Sequence, residues 1–402
     1  MIYFCPFNFI GMTEQEIHIE KIRSEMRSAG ADAFLITSNV NLYYAVGQVV
    51  MGYLYLSVGG TPVLFVRRPA GLDAETFHDV SLQYVRKPEQ IPEIMAGCGI
   101  PLPKCIMLEG DSLTHTEWLR YEAIFKPAKA ISGTAAIQRA RSIKTEKELE
   151  LIRRSGELHA AVYAKIPELY RTGMTDLEIS IEIERELRRA GNLGIFRVFG
   201  QSMEIFMGSV LVGDNACEAS PYDFALGGKG IHPSLPVGAN NSVLRRGTSM
   251  MVDMGGNFTG YMTDMTRTYS VGKLAEKAYR AHQTALEIQD EIVQMMRPGV
   301  VCEDIYNRSL EMAKRNGLDD CFMGSRQQAR FVGHGTGIEV NELPVLGARS
   351  RIELEAGMVL AIEPKFGIEG TGAVGIENTF VVTANGNEKL TVLAEEIVDL
   401  ED

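Results

Sequence analysis

Four carboxylates lie in two apolar segments of this chain, Asp253 with Asp264 in the first and Glu363 with Glu377 in the second. Each segment has apolar runs on both sides of a glycine-rich turn, and this pattern predicts a β-hairpin. Buried carboxylates that face each other are destabilising unless shared protons or bound cations offset their charge. The chain must therefore supply positive charge at this place, and metal ions are the simplest source.

The position of each turn predicts which residues face each other. Residues paired in an antiparallel hairpin have a constant sum of residue numbers, so a turn centred at residues 258–259 places Asp253 opposite Asp264. The same rule, with the second turn at its central glycine, places Glu363 opposite Glu377. Directly opposed positions hold their Cβ atoms ~4.5–5.5 Å apart, where like charges are destabilising.

A simpler interpretation is that each carboxylate is solvated or paired with a cation, for which Arg267 and Lys365 are available. The repetition of the arrangement favours metal binding instead. Both segments end in a glycine, an acidic residue and a threonine, at residues 260–266 and 372–379, which indicates a weak internal duplication. We therefore predict a metal site.

His334 is a fifth candidate ligand, because the glycines around it in VGHGTG allow close approach to a neighbouring group. The spacing of these glycines does not fit a dinucleotide-binding loop, and no cofactor-binding residues are predicted. Four carboxylates and one imidazole exceed the three protein ligands of a typical catalytic zinc, so two ions are expected. Oxygen-rich ligands favour Mn²⁺, with Co²⁺, Fe²⁺ or Zn²⁺ possible, and the reaction class is metal-assisted hydrolysis.

Length and pattern predict two domains, since single cores stop growing beyond ~250–300 residues and the chain has 402. The pattern changes near residue 142, where a capping box formed by Thr145 and Glu148 begins a long helix. We place the domains at residues 1–141 and 142–402. The first alternates helices and strands as an α/β domain, whereas the second combines helices with antiparallel hairpins as an α+β domain.

Composition limits the partners and the compartment. The net charge of −12 and the lack of a basic cluster argue against nucleic acid, and no apolar run reaches the ~18 residues of a membrane span. Six scattered cysteines without a C-x-x-C pair favour reduced thiols and a cytoplasmic protein. The first twelve residues are apolar without a basic start, and we interpret them as an amino-terminal strand or arm.

These motifs, in this order, resemble the pita-bread metalloenzymes: methionine aminopeptidase, Xaa-Pro aminopeptidase, prolidase and creatinase. The resemblance comprises D-x-G…G-Y-x-x-D-x-T-R at residues 253–267, G-H-G-x-G at 333–337, E-P at Glu363 and I-E at Glu377. DAFLITSNVNLYYAVG, at residues 32–47, resembles the creatinase amino-terminal domain. The implied architecture is an α/β creatinase-like domain followed by an α+β pita-bread catalytic domain.

The resemblance also implies a role for each ligand. Asp253 would bind one ion, His334 and Glu363 the other, and Asp264 and Glu377 would bridge the two. A hydroxide shared by the ions would attack the scissile carbonyl, and Glu363 would accept a proton. Relatives with this two-domain layout are commonly homodimers, so a homodimer is expected.

Three positions depart from the family pattern. Asn341 stands where peptidases carry a second histidine, Val237 replaces another active-site histidine, and Gly375 stands where proline-specific members carry arginine. The amide of Asn341 could still donate a hydrogen bond to an oxyanion during catalysis, whereas Val237 has no donor. These departures concern the substrate and the rate more than metal binding.

The leading hypothesis is a two-metal peptidase of the Xaa-Pro aminopeptidase or prolidase type that hydrolyses short peptides. An alternative keeps the metals and changes the chemistry to a non-peptide hydrolase or a lyase acting on a small polar metabolite. A third is a catalytically silent binding protein with the same fold. The native metal and the accepted length of peptide stay open.

Overall fold

The computed structural model describes residues 11–77, 79–200 and 205–402, and the amino-terminal strand or arm predicted from the sequence lies largely outside them. The chain divides into two compact units on either side of the peptide bond between Arg141 and Ser142. None of the helices in the described ranges has the length and hydrophobicity needed to cross a membrane. Each of the five described cysteines carries a free thiol.

The amino-terminal unit is an α/β structure. Its strands are β1 (Ala33–Ile36), β2 (Met51–Ser57), β3 (Val63–Arg68), β4 (Ser81–Tyr84), β5 (Cys105–Leu108) and β6 (Lys129–Ser132). They form one mixed sheet in the order β4-β3-β2-β1-β5-β6. Its helices are α1 (Glu14–Ser28), α2 (Asn39–Val46), α3 (Ile91–Gly97), α4 (His115–Ile124) and α5 (Thr134–Ser142). All four residues of the central strand β1 are buried, as its uninterrupted apolar sequence predicts.

The carboxy-terminal unit combines helices with antiparallel strands, so the predicted α+β class is confirmed. Its helices are α6 (Glu146–Tyr163), α7 (Ile166–Leu169), α8 (Asp176–Arg189), α9 (Glu276–Met295) and α10 (Cys302–Arg315). Its strands are β7 (Gly208–Val212), β8 (Ser249–Asn257), β9 (Met262–Ser270), β10 (Phe331–Gly335), β11 (Glu342–Gly347), β12 (Val359–Ile362), β13 (Lys365–Ile368), β14 (Gly372–Gly375), β15 (Asn378–Thr383), β16 (Gly386–Lys389) and β17 (Val398–Asp399). The sheets have the orders β17-β9-β8-β7, β11-β10-β12-β15-β16 and β13-β14.

Both faces of the β8–β9 ribbon are covered. Helix α6 packs against β8 and β9, while β14 contacts the same two strands and β15 contacts β9. The predicted capping box of α6 is confirmed, since the Thr145 side chain accepts from the Glu148 backbone and the Glu148 side chain accepts from the Thr145 backbone. This double coverage explains why an antiparallel ribbon has apolar residues on both faces. It also buries Asp264, whereas Asp253 stays partly exposed.

The first acidic hairpin has a register that differs from the prediction. Asp253 lies opposite Thr266, and Asp264 lies opposite Gly255. The predicted pairing of Asp253 with Asp264 is therefore wrong, although the two residues are diagonal neighbours on one face of the ribbon. The connecting turn comprises residues 258–261, so its centre lies one position later than the sequence suggested.

Gly256 explains this shift. A turn centred at residues 258–259 would begin at Gly256, but this glycine lies inside β8. A Cβ atom at this position would come within 2.6 Å of His159 Nδ1 and 2.5 Å of Thr263 Oγ1. The glycine therefore serves the close packing of α6 on β8 and does not form the turn.

The second acidic hairpin has the predicted register. Ile362 lies opposite Asn378 at the end of the β12–β15 ladder, and the β13–β14 ladder continues with the same alignment. Glu363 and Glu377 fall in the short interruption between the two ladders. They consequently come opposite each other, where the backbone leaves the regular pairing.

Candidate metal centre

The five ligands proposed from the sequence converge in the carboxy-terminal unit. Asp253 lies on β8, Asp264 on β9 and His334 on β10, while Glu363 follows β12 and Glu377 precedes β15. Asp264, Glu363 and Glu377 are buried, and Asp253 and His334 are partly exposed. Side chains from two sheets thus meet at one place.

Backbone and threonine contacts join the two hairpins at this centre. Thr266 and Glu377 exchange backbone hydrogen bonds of 3.3 Å, and the Thr266 hydroxyl donates to Glu377 Oε2 at 2.8 Å. Thr379 makes the corresponding contacts with Asp264, accepting from its N–H and donating to its carbonyl oxygen, both at 2.9 Å. The threonine of each duplicated motif therefore holds the acidic residue of the other.

Three carboxylate oxygens surround the Nε2 atom of His334. The distances are 3.4 Å to Glu363 Oε1, 3.9 Å to Asp264 Oδ2 and 4.0 Å to Glu377 Oε1. Atoms bound to one ion at ~2.0–2.2 Å lie roughly 3–4 Å from each other, so these spacings suit ligands of one divalent ion. The Nδ1 atom lies 3.1 Å from the carbonyl oxygen of Gly335, and a hydrogen bond donated there leaves the Nε2 lone pair facing the carboxylates.

Glu377 provides a separate indication of a missing cation. Its Oε1 atom is buried and has no hydrogen-bond partner in the described part of the chain. A buried carboxylate oxygen without a partner is costly, and a metal ion would satisfy it. The residues around His334 therefore fit a divalent ion.

Lys365 lies on the other side of the same carboxylates. Its buried Nζ atom donates to Asp253 Oδ2 and Glu363 Oε2 at 2.8 Å and to Glu377 Oε2 at 2.9 Å. Arg267, the other cation available near the hairpins, donates to the carbonyl oxygens of Thr266 and Glu377. Of the two, Lys365 is the cation that meets the carboxylates directly.

Burial controls the charges in this cluster. Burial and the charge of Asp253 raise the pKa of Asp264, and burial with the charge of Asp264 raises the pKa of Glu377. Burial also opposes the charge of Lys365, but the attraction of its carboxylate neighbours outweighs this and raises its pKa. Lys365 is therefore an ammonium ion, while Asp264 and Glu377 need a cation to ionise fully.

A pocket opens over the centre. Its lining residues are Phe196, Ile205, Ser209, Asp223, Phe224, Ala225, Leu226, Phe331, Val340, Asn341, Val345 and the five proposed ligands. The lining is therefore acidic at the metal centre and largely apolar elsewhere. None of these lining residues is an arginine or a lysine.

The three departures from the family pattern have different surroundings. Asn341 lines the pocket, but its Oδ1 accepts from the Phe199 N–H at 2.7 Å and its Nδ2 donates to the Phe199 carbonyl at 2.9 Å. At Gly375, where φ is 151°, a Cβ would come within 2.7 Å of Lys365 Cα. Val237 is half-buried in a loop and does not belong to the pocket lining.

The sequence predicted no role for Thr266 and Thr379 and only a general role as a cation for Lys365. Two signals were available. Residues i and i+2 of a strand lie on one face, so Lys365 and Glu363 were candidates for a shared side. The matching positions of Thr266 and Thr379 in the duplicated motifs indicated a shared role as well.

Comparisons with known proteins agree with this architecture. Residues 150–384 match the model of metallopeptidase family M24, and residues 18–143 match the model of the creatinase/prolidase N-terminal domain. An uncharacterized peptidase, YqhT of Bacillus subtilis, is 26% identical over 392 residues, which cover 95% of this chain and 99% of the relative. A Xaa-Pro dipeptidase of Pyrococcus furiosus is 27% identical over 384 residues, which cover 94% of this chain and 99% of the relative.

Solved structures show the same fold. A Xaa-Pro dipeptidase from Bacillus anthracis superimposes with a TM-score of 0.80 at 23% identity, covering 96% of this chain and 99% of that one. An X-Pro aminopeptidase from Thermotoga maritima gives a TM-score of 0.77 at 23% identity, covering 94% of this chain and 99% of that one. The predicted creatinase-like and pita-bread domains are thereby confirmed.

Proposed function

The chain belongs to metallopeptidase family M24, and on this premise we propose that it hydrolyses short peptides as a metal-dependent enzyme of the Xaa-Pro aminopeptidase or prolidase type. The family supports a hydrolase, and the names of the Xaa-Pro dipeptidase relatives support the class of substrate. The observation that carries the proposal is the convergence of three carboxylates on His334 around the unpartnered Oε1 atom of Glu377.

Asp264, His334, Glu363 and Glu377 are the proposed ligands on the pocket side, and Asp253 completes the acidic set. The oxygen-rich donors favour Mn²⁺, and Co²⁺, Fe²⁺ or Zn²⁺ could use the same atoms. A divalent ion supplies Lewis-acid polarisation of a substrate carbonyl and brings the pKa of water towards neutrality.

Glu363 is the proposed proton acceptor. It lines the pocket, and its Oε1 atom faces the centre of the ligand set. Its Oε2 atom is held by Lys365 at 2.8 Å, which fixes the orientation of the carboxylate. A general base held in one orientation transfers a proton without first having to be positioned.

The charge of the pocket bears on the end of the peptide that it accepts. Asp223 and Asp253 add negative charge to the lining, and no lysine or arginine among the described lining residues could pair with a substrate carboxylate. A free amino terminus complements this surface better than a carboxyl terminus does. We therefore favour an aminopeptidase over a strict dipeptidase, with Phe196, Phe224 and Leu226 providing an apolar wall.

A second candidate is hydrolysis or lysis of a small polar metabolite that is not a peptide. The observation favouring it concerns two positions, 341 and 375, at which related enzymes carry side chains that act on the peptide. The amide of Asn341 is paired with the backbone of Phe199, and Gly375 has no room for a side chain. Without these groups, the same metal chemistry would suit a smaller substrate.

The test is an activity panel on metal-free protein reconstituted with Mn²⁺, Co²⁺, Fe²⁺ or Zn²⁺. Xaa-Pro dipeptides, longer Xaa-Pro peptides and Met-peptides would serve as substrates. We expect release of the amino-terminal residue from longer Xaa-Pro peptides, and loss of this activity in His334→Ala but not in the exposed-histidine control His232→Ala. Inactivity on every peptide with metal bound would overturn the peptidase proposal and favour the second candidate.

The proposed enzyme is a cytoplasmic homodimer that needs neither nucleic acid nor a membrane. The resemblance to the two-domain family members supports the dimer, and the composition supports the compartment. Light scattering on the purified protein would give the mass of the assembly directly. A monomeric mass at working concentration would overturn this part of the proposal.

A further inference from the structure

The ammonium group of Lys365 lies inside the proposed metal centre itself. Its three hydrogens are directed to carboxylates from different segments: Asp253 on β8, Glu363 after β12 and Glu377 before β15. The side chain is almost completely buried, so water does not compete for these contacts. Such an arrangement, with several carboxylates around one positive centre, is the kind that otherwise holds a metal ion.

We propose that Lys365 is a resident cation in place of one of the two ions expected from the sequence, so that the centre binds a single divalent ion on its His334 side. This inference rests on the proposed function, from which it takes the metal ligands. It differs in expecting one metal ion, beside His334, where the sequence predicted two. Lys365 is in this view a positioning residue, because it orients ligands and supplies charge without contacting the substrate.

The two glutamates divide their oxygen atoms between the two positive positions. Glu363 directs Oε2 to Lys365 and Oε1 towards His334, and Glu377 does the same. Each glutamate therefore bridges an ammonium ion and a metal site. Among the ion pairs of the described residues, Asp253 contacts only Lys365, while Asp264 lies near His334.

A second metal ion would compete with the ammonium group for the same ligand atoms. An ion bound to Asp253 Oδ2 and Glu377 Oε2 would sit ~2.0–2.2 Å from atoms that Lys365 Nζ already contacts at 2.8–2.9 Å. The two cations would then repel each other at very short range in a buried site, where screening is weak. The ammonium group and a second ion are therefore alternatives.

The net charge of the centre changes sign with the number of metal ions. Four ionised carboxylates carry four negative charges, of which one ammonium and one divalent ion offset three. Adding a second divalent ion beside the ammonium would leave a buried excess of positive charge, which is unfavourable. One divalent ion leaves one net negative charge and two leave one net positive charge, so it is the competition for ligand atoms that favours the single ion.

The strand opposite Lys365 is adapted to its side chain. Lys365 pairs with Gly375, where an added Cβ would come within 2.7 Å of Lys365 Cα and 3.2 Å of its Cγ. The Thr268 hydroxyl holds the Gly375 backbone through contacts of 2.9 and 3.2 Å. The absence of a side chain at 375 thus leaves the space that the lysine stem occupies.

Metal stoichiometry tests the proposal without relying on activity. Chelated protein would be saturated with Mn²⁺ and freed of excess metal, and the metal content would be measured together with the electron paramagnetic resonance spectrum. We expect one uncoupled Mn²⁺ per wild-type chain and two coupled ions in Lys365→Ala, which opens the second position. Lys389→Ala, which removes a lysine paired with Glu395 outside the cluster, should keep one ion. Two ions in the wild type, none in the wild type, or no gain in Lys365→Ala would overturn the proposal.

A second pair of variants leaves Lys365 in place, in case its removal prevents folding. Asp253→Asn should retain the single ion, because Asp253 contacts the ammonium group, whereas His334→Ala should lose it. If Asp253→Asn lost the ion and His334→Ala retained it, the metal would lie on the Lys365 side, and the proposal would be overturned.

The outcomes also separate this inference from the proposed function. Peptide cleavage by a wild-type protein that holds two ions would retain the function and reject the role of Lys365. A wild-type protein that binds one ion but cleaves no peptide would support the proposed role of Lys365 and reject the peptidase function.

Discussion

The hydroxyl of Thr266 donates to Glu377 Oε2 at 2.8 Å and thereby connects β9 to the acidic residue in front of β15. This contact holds an oxygen that Lys365 also contacts, so it fixes the rotation of the carboxylate and directs Oε1 to the metal side. Hydrogen bonds to metal ligands commonly contribute 10–100-fold to metal affinity.

Thr266→Val should therefore weaken Mn²⁺ binding by about 10–100-fold while leaving the fold intact. Isothermal titration with Mn²⁺ would measure the change. Thr284→Val is a matched control, since Thr284 is buried and its hydroxyl donates to the carbonyl oxygen of Arg280 within α9. Equal affinity in wild type and Thr266→Val would show that the hydroxyl does not orient the ligand.

Gly375→Ala should destabilise the protein and displace Lys365. The new Cβ would lie 2.5 Å from the Pro364 carbonyl oxygen and 2.7 Å from Lys365 Cα, and overpacking of this kind costs about 1–3 kcal/mol. Urea unfolding would measure the loss. Gly97→Ala, where nothing lies within 4 Å of the added atom, should change stability by much less. Similar stabilities for the two variants would mean that the hairpin adjusts without strain.

Breaking the buried ion pair between Lys144 and Glu342 should be costly. The two groups are 2.9 Å apart with almost no exposure, and Glu342 also accepts from the backbone N–H groups of Ile338 and Glu339. Lys144→Met would remove one partner of this buried ion pair, a change that costs about 3–5 kcal/mol.

Chemical denaturation of Lys144→Met would measure that cost. Arg154→Ala, which removes one partner of an exposed pair with Glu157, should cost about 1 kcal/mol or less. A loss of comparable size in the two variants would show that burial of the Lys144 pair does not matter.

His159 should make stability depend on pH. Burial, reinforced by the charge of Arg267, lowers the pKa of His159 to about 3, whereas an unfolded histidine titrates near 6.5. Between these values only the unfolded chain binds the proton, so the free energy of unfolding falls as pH drops, by up to about 1.4 kcal/mol per pH unit. Stability is therefore retained above pH ~6.5 and lost progressively below it.

His159→Gln has no proton to gain and should lack this part of the slope. Urea titrations of metal-free protein between about pH 7 and pH 5 would compare the two proteins, with the exposed-histidine variant His232→Gln as the control. Parallel pH profiles for wild type and His159→Gln would contradict the buried neutral state of this histidine.

The sequence predicted the second acidic hairpin better than the first, and the reason lies in what each glycine does. Gly370 lies in an open turn with a φ of 78° and no atom near its missing side chain, so local sequence determines its role. Gly256 is a packing glycine beneath His159, and only the position of α6 reveals this. Helix α6 also binds the turn through Ser155, whose hydroxyl donates to the Tyr261 carbonyl at 2.8 Å.

The cluster of acidic residues was visible as a pattern, but the position of Lys365 was not. Its contacts with Asp253, Glu363 and Glu377 depend on the meeting of separate strands, which a single sequence does not specify. Strand periodicity relates Lys365 to Glu363 alone. The remaining contacts come from tertiary structure, as does the pairing of Asn341 with Phe199.

The reciprocal threonine contacts mean that neither acidic hairpin is anchored by its own residues alone. Thr379 holds Asp264, and Thr266 holds Glu377. Unfolding of either hairpin therefore also breaks the hydrogen bond that holds the acidic residue of the other. Opening of this region should be all-or-none, and amide hydrogen exchange of β9 and β15 should slow together when the ion binds.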